Sequence, residues 1–99
     1  MSERCAPRNT SKAFASGDLT LTVASGLPVH VYGIWLSNPT AGALSFTVNN
    51  GAGTLICTVD VPATSSKELS TYWIADAGVQ IVAEAADTFA VVFHNSPGR

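Results

Sequence analysis

The amino-acid sequence predicts an all-β protein, with about seven antiparallel strands in a β-sandwich or jelly-roll-like fold. Apolar residues alternate with Ser and Thr at a period of two through much of the chain, which is typical of strands with one buried face. Turn sequences rich in Gly, Pro and Asn separate these runs at intervals of roughly 8 to 12 residues. Intervals this short leave no room for the crossover helices that a parallel sheet needs.

The residues that end each run support this assignment. Pro28 and Pro62 cannot donate to a central ladder, and Asn50-Gly51 suits the positive φ angles of a hairpin turn. The alanine-rich residues 83–86 are assigned to the end of a strand rather than to a helix, because β-branched residues and Phe flank them. The predicted strands cover residues 19–23, 29–37, 44–48, 54–61, 68–74, 79–85 and 88–93.

The first 17 residues differ from the rest of the chain in charge and in pattern. They contain Arg4, Arg8 and Lys12 with only Glu3 opposing them, and they show no hydrophobic periodicity. We therefore expect an extended basic N-terminal arm over residues 1–17 and one β-sandwich domain over residues 18–99. A solvated tail without a partner is the alternative.

The composition argues against several classes of function. The 99 residues are 46% hydrophobic and only 12% charged, so hydroxyl groups supply much of the polar surface. A net charge of −2 argues against a general affinity for nucleic acid or for anionic membranes. The sequence has no apolar run of membrane-spanning length and no apolar core of a secretion signal, so we expect a soluble protein.

Three of the predicted strands are apolar on both faces, whereas a sandwich needs only one buried face per sheet. They are the strands over residues 29–37, 54–61 and 88–93. Exposed apolar surface on this scale usually marks an interface, so we expect a homo-oligomer, with a trimer as the expected state. The candidate interface residues are His30, Tyr32, Ile34, Leu36, Val92 and His94.

No arrangement of residues indicates catalysis or metal binding. The sequence has no Gly-x-Ser-x-Gly elbow for a serine nucleophile. Cys57 lies in an apolar run and is expected to be buried and inert, while Cys5 lies on the arm. His30 and His94 are far apart in the chain and do not supply the closely spaced ligands of a zinc site. We expect no enzymatic activity, no metal and no cofactor.

Tyr72 and Trp73 form the one group of residues that suggests a ligand. Aromatic rings stack on sugars, and the nearby Asp76 can accept hydrogen bonds from sugar hydroxyls. Adjacent strand positions point to opposite faces, so one of the two aromatic residues belongs to the core. We take Tyr72 and Asp76 as possible ligand-facing residues. The alternative packs Trp35 and Trp73 between the sheets and places Tyr72 at an interface.

Several segments of the body together carry a resemblance to a known class of proteins. They are VHVYGIWL at 29–36, VNNG at 48–51, TLI at 54–56, VDVPA at 59–63, WIADAGVQI at 73–81 and TFAVVF at 88–93. With these segments the body of the chain, about residues 18–94, resembles the small β-sandwich virion proteins of tailed bacteriophages. That class includes capsid decoration (cement) proteins and head- or tail-fibre modules.

The resemblance implies a non-enzymatic protein that assembles with itself, often with threefold symmetry. We therefore expect a virion structural protein, assembled in the host cytoplasm, that decorates and stabilises a phage capsid. Arg4, Arg8 and Lys12 would dock the arm on the major capsid protein or another virion protein. The main alternative is a receptor- or carbohydrate-binding module of a head or tail fibre, with residues 75–78 engaging sugar. A non-viral adaptor or pilus-like subunit is a third.

Overall fold

A computed structural model describes residues 7–24, 26–70 and 72–95, which form nine β-strands and no helix. These segments therefore contain no helix that is long and apolar enough to cross a membrane. The strands are β1 (Pro7–Ala13), β2 (Thr20–Val23), β3 (Val29–Asn38), β4 (Leu44–Asn50), β5 (Leu55–Val61), β6 (Ser65–Leu69), β7 (Trp73–Ala75), β8 (Val79–Ala83) and β9 (Phe89–Asn95).

The strands form two sheets whose neighbours pair antiparallel, and the predicted β-sandwich is confirmed. The first sheet has the order β1-β9-β3-β6, and β7 also pairs with β3. The second sheet has the order β2-β8-β4-β5. Alternate side chains of both sheets fill the space between them. Fully buried members of this core are Val29, Val31, Ile34, Leu36, Phe46, Val61, Val79, Ile81 and Val92.

The central strand β3 contains a β-bulge at Tyr32. Val31 pairs with His94 and Gly33 pairs with Phe93, so Tyr32 is an extra residue with no partner on β9. One extra residue reverses the alternation between inward and outward side chains on its C-terminal side.

The bulge corrects the expected faces of β3. Val29 and Val31 point into the core before it, and Ile34 and Leu36 point into the same core after it. Ile34 and Leu36, expected at an oligomer interface, are therefore fully buried within one chain. Trp35, for which packing between the sheets was the alternative, lies on the outer face and is half-buried. β3 has apolar residues in both phases because one phase faces the core before the bulge and the other phase faces the same core after it.

Residues 7–17, expected in an extended arm, belong to the sandwich. β1 pairs along its whole length with β9, from Pro7 opposite Asn95 to Ala13 opposite Phe89. Phe14 follows and enters the core with 2% of its surface exposed. The expected domain start at residue 18 is therefore wrong, while residues 1–6 lie outside the described part of the chain.

The predicted strand over residues 68–74 is two strands that pair with different halves of β3. β6 pairs with the segment from Ile34 to Asn38, and β7 pairs with the segment from Val29 to Val31. The break between them is level with the bulge, where the backbone of β3 bends. Gly33 allows a close approach there, since a Cβ on it would lie 3.2 Å from the Leu69 carbonyl oxygen.

The hairpin between β4 and β5 forms at the predicted Asn-Gly turn. The Asn50 side-chain oxygen accepts hydrogen bonds from the backbone of Ala52 and Thr54. Cys57, expected to be buried, is exposed, as are its neighbours Leu55 and Ile56. β5 is an edge strand whose burial begins only at Val59, and a register shift opposite Val48 and Asn49 interrupts its first part.

Candidate functional site

The outer face of the first sheet carries a group of exposed aromatic and aliphatic residues near the start of β3. Tyr32, Tyr72, Ile74 and Phe93 are 46%, 54%, 53% and 38% exposed. His30 lies among them, directly opposite Ile74. We call these five residues the aromatic patch. Side chains of this size are usually buried, so a cluster of them in solvent indicates a binding surface.

The rings of the aromatic patch are held in place by one another. Tyr32 and Tyr72 are stacked, with centroids 5.4 Å apart and an interplanar angle of 22°. His30 lies 5.7 Å from Tyr72 between centroids, and its Nδ1 shares a hydrogen bond with the Tyr72 hydroxyl. Little side-chain entropy remains to be lost when a partner binds, because the rings are already ordered.

The aromatic patch combines residues from two separate predictions. His30 and Tyr32 were candidates for an oligomer interface, and Tyr72 was a candidate for contact with a ligand. The structure brings these three together on one surface. Sequence reasoning did not select Ile74 or Phe93, although both are large apolar side chains that lie in outward phase on β7 and β9.

Two further residues expected at an oligomer interface lie inside the sandwich. Val92 is fully buried and His94 is 3% exposed. His94 Nδ1 lies 2.6 Å from the Asn95 carbonyl oxygen, which can only accept, so Nδ1 donates. In the neutral ring, Nε2 then accepts from the Thr10 hydroxyl at 2.8 Å. His94 thus ties β1 to β9, and it faces away from His30, which lies on the outer side of the sheet.

The three basic residues expected to dock on a capsid have different surroundings. Lys12 Nζ lies 2.6 Å from Asp18 Oδ1, so this ammonium group is paired within the chain. Arg8 occupies a β1 position opposite His94. Arg4 lies outside the described residues. The docking role of Lys12 stays a prediction, and its ion pair with Asp18 competes with any partner carboxylate.

Asp76 is exposed, but it does not form a compact site with Tyr72. The two are four positions apart along extended chain, a span of roughly 13 Å, and Ile74 lies between them. The turn that holds Asp76 is packed against two other turns. The Gly26 and Gly51 amides donate to the carbonyls of Ala77 and Gly78 at 2.9 Å.

The turn at residues 75–78 has little freedom to adapt to a ligand. Gly78 has a φ of +86°, and a Cβ on it would lie 2.3 Å from the Ala24 carbonyl oxygen. No other residue type fits that position without moving the backbone. The described ranges also contain no group of three or more His, Cys, Asp or Glu side chains that could hold a metal ion.

Comparison with known proteins identifies the architecture. No family model matches the chain, and no curated protein matches it. The chain is similar to the solved core of Drosophila NLP, with a TM-score of 0.58 and 10% identity over 91% of this chain and 96% of that one. The fold is a jelly-roll-like β-sandwich.

Two other solved structures are less similar. One is a carbohydrate-binding module of a Cellvibrio mixtus lichenase in complex with cellotriose, with a TM-score of 0.41 and 16% identity over 91% of this chain and 70% of that one. The other is the coat protein of Tobacco streak virus, with a TM-score of 0.41 and 6% identity over 92% and 86% of the two chains.

The burial pattern predicts that Ile34 and Tyr72 differ in their contribution to stability. Ile34→Ala should lower the free energy of unfolding by about 2–5 kcal/mol, because it leaves a cavity in the core. Tyr72→Ser should lower it by less than about 1.5 kcal/mol, because it removes only an exposed stack and a surface hydrogen bond. Urea denaturation, at a concentration where the chain is monomeric, measures both. Equal losses in the two variants would contradict the assignment of these faces.

Proposed function

We propose that this chain is a non-enzymatic structural protein of a virion, which assembles with further copies of itself and decorates a phage capsid. The aromatic patch is the observation that carries the proposal. The copies associate through this patch, in a trimer whose patches meet around a threefold axis. The resemblance of the sequence to small virion proteins of tailed phages supports the virion as the setting.

A second copy of the chain fits the chemistry of the aromatic patch. The five patch residues carry no carboxylate, lysine or arginine, while the whole chain has a net charge of −2. Copies of like charge approach one another most closely through an uncharged surface. Burial of large aromatic side chains then supplies the free energy of association, as in oligomer interfaces generally. The NLP core, which is described as forming a pentamer, illustrates that this fold is compatible with ring assembly.

We assign the attachment to the capsid to residues 1–8, the last two of which belong to β1. Arg4 and Arg8 supply the positive charge there, and a capsid surface rich in carboxylates is the matching partner. The proposed attachment does not include Lys12, because its ion pair with Asp18 competes with any partner carboxylate. Since residues 7–13 are a strand of the sandwich, any test of the attachment has to leave β1 intact.

The self-association is tested by light scattering at micromolar concentration. The wild-type chain, of 10.2 kDa, should have a mass three times that of the monomer. The double variant Tyr32→Ser, Tyr72→Ser should shift the mass toward the monomer, because it removes both stacked rings. The matched control is Leu55→Ser, which removes a 60% exposed apolar residue on the other sheet. This variant should keep the mass of the wild type. A monomeric wild type, or a double variant that assembles as well as the control, would contradict the proposal.

The attachment is tested by co-sedimentation with preformed capsids that lack this protein. Removal of residues 1–6 together with Arg8→Gln should weaken binding while the oligomer persists. Lys12→Gln is the control and should bind as the wild type does, because Lys12 is paired with Asp18. Undiminished binding of the truncated variant would remove these residues from the mechanism. Failure of the wild type to bind any capsid would overturn decoration itself.

A further inference from the structure

A groove of about 420 Å³ lies beside β3 and β6, toward the end of the outer face opposite the aromatic patch. Its walls are formed by Trp35 and Ser37 of β3 and by Ser65 and Ser66 of β6, together with the adjoining turns. Ser37 is roughly 17 Å along the strand from Tyr32, so the groove is distinct from the patch.

Trp35 provides a flat apolar wall for this groove. The bulge turns it outward, and it stays half-buried because it packs beside Phe89. The two rings make an edge contact, with centroids 6.0 Å apart and an interplanar angle of 70°. The contact with Phe89 orients the indole, which also lines the groove and is exposed enough there to meet a ligand.

Four hydroxyl-bearing residues line the groove, together with Asn38 and Pro39. Ser37 lies directly opposite Ser66 in the ladder, and Thr64 and Ser65 continue the same wall. Each hydroxyl can both donate and accept a hydrogen bond, which matches the mixed donors and acceptors of a sugar. Glu68 lies directly opposite Trp35 on the neighbouring strand, and a carboxylate accepts from sugar hydroxyls but repels an anion.

A buried amide holds the two walls of the groove together. The fully buried Asn38 donates through its side chain to the carbonyls of Gly42, Val61 and Pro62 at 2.9, 3.1 and 3.2 Å. Its side-chain oxygen accepts from the backbone amide and the hydroxyl of Thr40. These contacts join the end of β3 to the turn before β6, so the groove is formed before any ligand binds.

The turn at the rim of the groove is also strained. Thr64 has a φ of +51°, a left-handed conformation that β-branched residues rarely adopt. Its backbone amide donates to the Thr40 carbonyl at 3.0 Å, which fixes this conformation. Backbone strain of this kind is concentrated at binding sites, where the surrounding structure maintains it.

We propose that the groove binds a neutral pyranose unit of a glycan. Trp35 stacks on the apolar face of the sugar ring, Ser37 and Ser66 exchange hydrogen bonds with its hydroxyls, and Glu68 accepts a further one. The site lies away from Tyr72 and Asp76, which the sequence suggested for such a ligand. It does not require the aromatic patch, so a glycan and a second copy of the chain can be bound at once.

Indole N–H signals in NMR test the site directly, because the chain has two tryptophans. The probes are maltotriose, cellotriose, mannotriose and N-acetyllactosamine at millimolar concentration, with 3′-sialyllactose as the anionic comparison. At least one neutral sugar should shift the Trp35 signal in a saturable way. The signal of Trp73, which packs against the core, should stay in place. Trp35→Ala lacks the reporting indole, so its affinity is measured by isothermal titration calorimetry and should be weaker by about tenfold or more.

Substitutions at two exposed positions on β6 test the site without removing a buried side chain. Glu68→Gln and Ser66→Ala should each weaken binding several-fold without loss of the folded spectrum, and Tyr72→Ser is the matched control that should not. The proposal is overturned if no neutral sugar shifts Trp35, if both indole signals shift alike, or if 3′-sialyllactose binds more tightly than the neutral sugars. Binding that survives both β6 substitutions also overturns it. A monomeric wild type would refute the proposed assembly and leave this result unaffected.

Discussion

The extra residue at Tyr32 determines which side chains of the central strand meet the core and which meet solvent. Ile34 and Leu36 reach the core only because the alternation reverses there, and Trp35 is turned outward by the same step. The bend also separates β6 from β7, since each pairs with one side of the bulge. The same sequence in a regular strand without the bulge would bury Trp35 and expose Ile34.

The outer face of the first sheet therefore carries two surfaces with different chemistry. At one end, the stacked rings of Tyr32 and Tyr72 form part of the aromatic patch, which has no carboxylate, lysine or arginine side chain. At the other, Trp35 borders a groove rich in hydroxyls with one carboxylate beside it. The first surface suits a large apolar partner, for which a second copy is our proposal, and the second suits a small hydroxylated ligand. The outer face of the second sheet carries polar pairs, with hydrogen bonds from Asn49 to Gln80 and from Ser45 to Asp60.

The sequence was sufficient to predict the fold class, most strands and the main hairpin, because these depend on local alternation and on turn residues such as Pro62 and Asn50-Gly51. It could not reveal the bulge, since a strand that is apolar in both phases looks the same with or without a phase change. β1 was missed because it is an edge strand with mostly polar residues and has no hydrophobic period. The exposure of Cys57 depends on the position of β5 in the folded chain, which a local sequence pattern cannot predict. His30, Tyr32 and Tyr72 were each selected, but their meeting on one surface depends on the pairing of β3 with β7.

The central claim is that another copy of the chain covers the aromatic patch. Hydroxyl-radical footprinting over a range of protein concentrations tests it most directly. Tyr32 and Tyr72 should lose reactivity as the concentration rises, while Leu27 and Leu55, which are also exposed in the single chain, should react at a constant rate. If the reactivity of the two tyrosines stays as constant with concentration as that of the leucines, the patch is not an interface between copies and the account is contradicted.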